Sequence, residues 1–108
     1  MGTNSEMIIP SHSGSTISSI VPAIVMGHAN ELVPDEVFDS GRVVLLVIDG
    51  LGWSQFERNR DIVPCLNSAL STAITTVAPS TTATALTSLT TGVAPGEHGV
   101  VGYKVRTP

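Results

Sequence analysis

Positive charge is scarce in this chain. Its 108 residues carry only Arg42, Arg58, Arg60, Lys104 and Arg106 as basic side chains, against nine acids, for a formal net charge of −4. These scattered cations cannot neutralise a run of backbone phosphates, so nucleic acid is excluded as an expected partner. A single cysteine, Cys65, permits neither an internal disulfide nor a zinc site built on paired thiolates. It is expected as a small buried side chain in a reducing compartment. The longest strongly apolar stretches are Val43 to Ile48 and Ile17 to Met26, the second broken by Ser18, Ser19 and Pro22. A membrane-spanning helix needs about 20 apolar residues, so no membrane association is expected. No Lys or Arg precedes Arg42, and a standard secretory signal starts with a basic region, so the expected location is cytoplasmic.

Charge of both signs is low as well, at 13% of residues, whereas 42% are hydrophobic and the mean hydropathy is +0.31. Intrinsic disorder requires the opposite balance. The length accommodates one small domain or a piece of a larger one. Residues 1–41 hold Glu6, Glu31, Asp35, Glu36 and Asp39 and no base, while every basic residue follows. A boundary is therefore placed near Ser40-Gly41, with an N-terminal arm and short helix over 1–41 and the first strands and main helix of a second region over 42–108. The first 16 residues show neither a helical nor a strand period and are expected to form a mobile arm. Ser18 then suits the cap of a short helix through Met26, with Pro22 in its first turns, Gly27 beyond its end, and Ile20, Val21, Ile24 and Val25 on its buried face.

Arg42 to Gly52 reads RVVLLVIDGLG. An unalternating apolar run of this length predicts a parallel strand buried on both faces. Sites in open parallel sheets are built at the carboxyl ends of strands, where Asp49 stands. Asp-Gly is also a common turn pair, so capping of the turn is the alternative reading of Asp49. Short helices are expected over Ser54 to Asn59 and over Asp61 to Leu70, and a second strand over Thr72 to Ala78. Pro79 ends that strand, Ser80 is the expected N-cap of a helix from Thr81 to Thr91, and Gly92 is its expected stop. Nine threonines between Ser71 and Thr91 could instead mark a glycosylated stalk, but strand and helix periods and the scarcity of proline oppose that. Thr81 and Thr82 fall on the first helical turn, where unpaired N–H groups and the helix dipole attract phosphate or sulfate. A threonine hydroxyl becomes a useful nucleophile only beside a base or a metal, and Asp49 offers part of a cation's cage. Simple capping by these threonines is the competing explanation.

The segment VVLLVIDGLG, followed by APSTTATALTSLTTGVAPGEHGVVGY over Ala78 to Tyr103, resembles the N-terminal part of the alkaline phosphatase superfamily, specifically its type I phosphodiesterase and nucleotide pyrophosphatase branch. The resemblance covers about residues 42–105. Its specificity lies in the combination of a strand ending in Asp-Gly, then Pro-Ser-x-Thr, then Thr-Gly, then Pro-x-x-His-Gly. It implies an α/β fold, the N-terminal part of a three-layer α/β/α domain with a mostly parallel sheet. It also implies two divalent metal ions, usually zinc, with Asp49 a ligand of one and Thr82 the nucleophile touching that same ion. The reaction implied is in-line attack on phosphorus through a phosphothreonine intermediate, hydrolysed by water activated at the other metal. The substrate class implied is a phosphate-ester small molecule such as a nucleotide. Thr81 aligns with a non-nucleophilic spacer, and His98 with a motif position outside the metal cage, for which a structural role is expected.

Two departures qualify the resemblance. Nucleotide pyrophosphatases usually carry an asparagine 21 residues after the nucleophile, where its amide binds a phosphoryl oxygen; here that position is Tyr103. A phenol donates one hydrogen bond but with a different reach, which leaves diester and monoester substrates both open. The family's remaining aspartate and histidine ligands come from later strands, and no Asp, Glu or His follows His98. The chain is therefore expected to be the N-terminal fragment of a longer enzyme, needing a C-terminal part to complete its fold. The alternatives are a phosphomonoesterase of the same superfamily and a noncatalytic truncated segment.

Overall fold

Helix α1, Ile20–Met26, continues from a single 3₁₀ turn over Ile17–Ser19 in the computed structural model, which describes residues 7–104, 106 and 108. Residues 1–6 of the expected arm, and Val105 at the end of the stretch resembling the phosphodiesterases, lie outside the described residues. The expected stop at Gly27 is realised: its φ of 66° is left-handed, and its N–H bonds back to the Ala23 and Ile24 carbonyls. The start differs from expectation. Ser18 is buried within the 3₁₀ turn, and Ser19 occupies the cap without a side-chain bond to the helix. The packed face differs too: Ala23 is its buried residue, whereas Val25 is exposed.

The part of the arm that is described is held in place. The Ser11 N–H donates to Thr75 Oγ1 (3.1 Å), the Thr75 N–H to the Ser15 carbonyl (3.0 Å), and the Ile17 N–H to the Thr75 carbonyl (3.1 Å). Thr16 and Thr75 thus form a parallel bridge, with Thr16 fully buried. Composition predicted mobility because it reads side chains; backbone donors and acceptors pair whatever side chains flank them. Apart from this bridge, neither residues 43–48 nor residues 72–78 pair as strands among the described residues. A ladder requires a neighbour, and all six residues of the 43–48 run are exposed here.

Beyond a 3₁₀ turn at Asp35–Phe38, helix α2 spans Trp53–Arg58. The Gln55 side-chain oxygen accepts the Gly52 N–H at 2.8 Å, which supplies the return half of a capping box that glycine cannot complete. The expected Asp61–Leu70 helix is interrupted, giving a 3₁₀ turn at Arg60–Ile62 and a single turn α3 at Pro64–Asn67. Pro64 has no N–H to donate and begins a new helix instead of continuing the earlier one. Cys65, expected buried, is exposed.

Helix α4 runs over Thr82–Thr91 and ends at Gly92, with φ 76°. Its N-cap is Thr81, one residue beyond the expected Ser80. Thr84, Ser88 and Leu89 form its buried side, and the helix packs on α1 and its leading 3₁₀ turn and on α5, Pro95–His98. His98 joins α5 to α4 through Nε2 and to the following chain through Nδ1. Nδ1 accepts the Val100 N–H at 3.0 Å, which leaves the proton on Nε2 to be donated to Ser88 Oγ at 2.8 Å. Ser88 is fully buried. His98→Ala should therefore cost about 1–3 kcal/mol by orphaning that hydroxyl, and adding Ser88→Ala should recover part of the loss. Urea midpoints of the longest natural chain check this; an unchanged midpoint in His98→Ala would show that Ser88 finds another partner. Among the described residues, no helix is long and apolar enough to cross a membrane.

Candidate active site

Asp49 and Thr82 lie 33 positions apart in sequence and meet directly: Thr82 Oγ1 donates to Asp49 Oδ2 at 2.9 Å. Local sequence explains each partner's position. The apolar run releases the chain at Asp49, after which Gly50, with a φ of 78°, takes a left-handed conformation that other residues rarely adopt. From the other side, Pro79 follows a cis peptide bond and leads through Ser80 and Thr81 to Thr82, the first residue of α4. Thr82 is half-buried and Asp49 exposed. The hydrogen bond fixes the direction of the Thr82 proton and leaves the hydroxyl's lone pairs free to accept.

That cleft is open, encloses about 830 Å³, and is lined by both residues together with Ser80 and a largely apolar wall. The neighbouring Thr81 hydroxyl is engaged elsewhere, sharing a hydrogen bond of 3.0 Å with that of buried Thr84. The two threonines left competing by local pattern therefore differ in geometry, and Thr82 alone contacts the carboxylate. Tyr103 is 78% exposed and does not line the cleft. His98 is committed to Ser88 and Val100, remote from the Asp49 carboxylate in its hydrogen bonding.

Several cleft residues had no functional signal in the sequence. Trp53 and Phe56 line it from α2, their ring centroids 5.7 Å apart, and the Arg60 guanidinium lies 4.7 Å from the Phe56 centroid and also pairs with Glu57. Spacing of three residues on a helix brings such side chains together. The position of Trp53 just after Asp49-Gly50-Leu51-Gly52 was the available clue. Ile17 also lines the cleft, from the segment assigned by charge to a separate arm.

The donor set accommodates part of a metal site. A carboxylate and a hydroxyl oxygen within 2.9 Å of each other suit a divalent cation that accepts oxygen ligands, zinc included. Among the described residues, no group of three or more His, Cys, Asp or Glu side chains converges. Asp49 and Thr82 would thus supply two oxygen ligands to a bound cation.

A family model described as type I phosphodiesterase / nucleotide pyrophosphatase matches residues 43–108. The chain belongs to this family. The match includes Asp49, Thr82, His98 and Tyr103, and it indicates phosphodiesterase or nucleotide pyrophosphatase function, within the phosphoric ester hydrolases. No curated protein and no solved structure shows a significant match to the chain. Residues 1–42 lie outside the stretch that the phosphodiesterase family model covers.

Proposed function

We propose that this chain carries the nucleophile of a metal-dependent phosphodiesterase or nucleotide pyrophosphatase, with Thr82 as nucleophile and Asp49 as ligand of one of two divalent ions, zinc in the first instance. The Thr82–Asp49 hydrogen bond is the observation that carries this reading, because it joins the motif acid to the motif hydroxyl across a long sequence separation. Asp49 orients Thr82 Oγ1, and the free N–H groups at the start of α4 offer donors to phosphoryl oxygens. Divalent ions, when bound, lower the pKa of the hydroxyl and stabilise developing charge. Thr82 Oγ1 forms the bond to phosphorus as the opposite ester P–O bond breaks, and the alcohol or nucleotide fragment leaves with a proton. Water then cleaves the phosphothreonine and restores the hydroxyl. The remaining ligands are assigned to residues outside those described, within a three-layer α/β/α domain whose sheet would include residues 43–48 and 72–78.

Acid-quenched turnover of a phosphodiester by the longest natural chain, followed by peptide mass spectrometry, tests the reading. Phosphate is expected on Thr82; its appearance on Thr81 or Ser80 would reassign the nucleophile.

Tyr103 is proposed to donate to a phosphoryl oxygen in place of the usual asparagine, on the strength of its spacing from Thr82. Tyr103→Phe should then lower kcat/KM by about 1–3 kcal/mol, the cost of removing a donor from a charged acceptor. Comparing monoester and diester substrates identifies which one Tyr103 serves. Equal, unchanged constants would assign the residue to the surface, consistent with its exposure.

A further inference from the structure

One steric constraint on α4 comes from outside the family match. Gly92, which ends the helix, sits against α1. A Cβ built on Gly92 would lie 2.4 Å from Pro22 Cγ and 3.3 Å from the Ser18 carbonyl oxygen, and real carbon contacts do not reach the first of these distances. At the other end, the backbone leading to Thr82 is held by the Thr75 bonds to Ser15 and Ile17. One segment, residues 15–26, therefore touches α4 at its carboxyl stop and braces the chain that enters its amino end. Ile17 from the same segment lines the cleft that Thr82 also lines. An α-helix of ten residues is a stiff rod of about 15 Å, so displacement at Gly92 is carried to Thr82. A misplacement of about 1 Å can cost a reaction on the order of a hundredfold in rate.

We propose that Pro22 is a positioning residue for the nucleophile: by abutting Gly92 it sets where α4 holds Thr82 relative to Asp49. This rests on the assignment of Thr82 above. The contact would make residues before position 43 a working part of the active site, although the family model does not cover them.

The test uses Gly92→Asn in the longest natural chain. Asparagine tolerates a left-handed φ but carries the Cβ that meets Pro22. Gly92→Asn should lower kcat by about tenfold or more with KM within about twofold, and adding Pro22→Ala, which removes Cγ, should restore kcat to within about threefold of the wild type. Pro22→Ala alone should lower kcat by about threefold or more at unchanged KM, because the abutment is lost. Wild-type kcat in Gly92→Asn, or an equal loss with and without Pro22→Ala, would overturn the proposal. Should Gly92→Asn fail to fold, Pro22→Ala decides alone, and wild-type kcat there would overturn it. Thr82→Ala in the same assay separates the two readings: an active Thr82→Ala enzyme would sink the nucleophile assignment, whereas an inactive one beside a fully active Gly92→Asn would sink only the role of Pro22.

Discussion

Thr82→Ala is expected to lower turnover by roughly 10⁴-fold or more, the scale on which loss of a covalent nucleophile acts. The substitution removes the oxygen proposed to attack phosphorus and leaves the Asp49 carboxylate in place, so bound metal should fall only modestly. Thr82→Ser should keep measurable turnover, since it retains the hydroxyl that donates to Asp49 (2.9 Å). Asp49→Asn separates the two roles in the opposite direction. Its amide oxygen still accepts the Thr82 proton, but its negative charge is gone, and metal affinity should fall by at least about 10–100-fold, the range found even for partners one shell further out. Steady-state kinetics with metal analysis of the same preparations check both. Full activity in Thr82→Ala would overturn the assignment.

The second large effect concerns residues 1–108 expressed alone. Their Cα radius of gyration is 15.6 Å, against about 13 Å for a compact chain of 100 residues. Among the described residues the buried apolar side chains are Ala23, Val33, Val77, Leu89 and Pro95, while Val44 is 91% and Leu46 78% exposed. Each fully buried large aliphatic side chain contributes about 1.5–3 kcal/mol, and so few of them cannot offset the backbone entropy of about 1–2 kcal/mol per residue ordered. The isolated polypeptide should therefore unfold over a broad temperature range and bind hydrophobic dyes. With Asp49 and Thr82 as its two proposed ligands, it should hold no stoichiometric zinc and hydrolyse no nitrophenyl phosphodiester above the buffer rate. A sharp thermal transition with metal-dependent hydrolysis that disappears in Thr82→Ala would overturn this expectation and identify a self-sufficient small enzyme.

Both predictions depend on a division between local and distant causes. Sequence by itself determined the stops at Gly27 and Gly92, because a left-handed glycine after an apolar or threonine-rich helical run is a property of a few adjacent residues. It determined α2 and α4 to within one residue at their starts, and its resemblance to the phosphodiesterase family, carried by the segments around Asp49, Thr82 and His98-Gly99, is borne out by the match to residues 43–108. The expected helix over Asp61 to Leu70 gave way to a 3₁₀ turn at Arg60–Ile62 and a single turn at Pro64–Asn67, because how the chain closes before Pro64 depends on more than the local helical pattern.

Tertiary structure decided everything that needs two distant backbones to meet. It chose Thr82 over Thr81 for the contact with Asp49, because that choice depends on where a residue 33 positions earlier comes to rest. It tied Ser15 and Ile17 to Thr75 through backbone groups that are identical at almost every position and so leave no trace in composition, and it brought the Ser11 N–H to the Thr75 hydroxyl. It set Ser88 against His98, and Pro22 against Gly92. Helix caps and glycine stops are encoded within a turn of chain, so they can be read from a single sequence. Long-range contacts arise only when packing outweighs the entropy of closing the loop between them, and that balance belongs to the folded molecule as a whole.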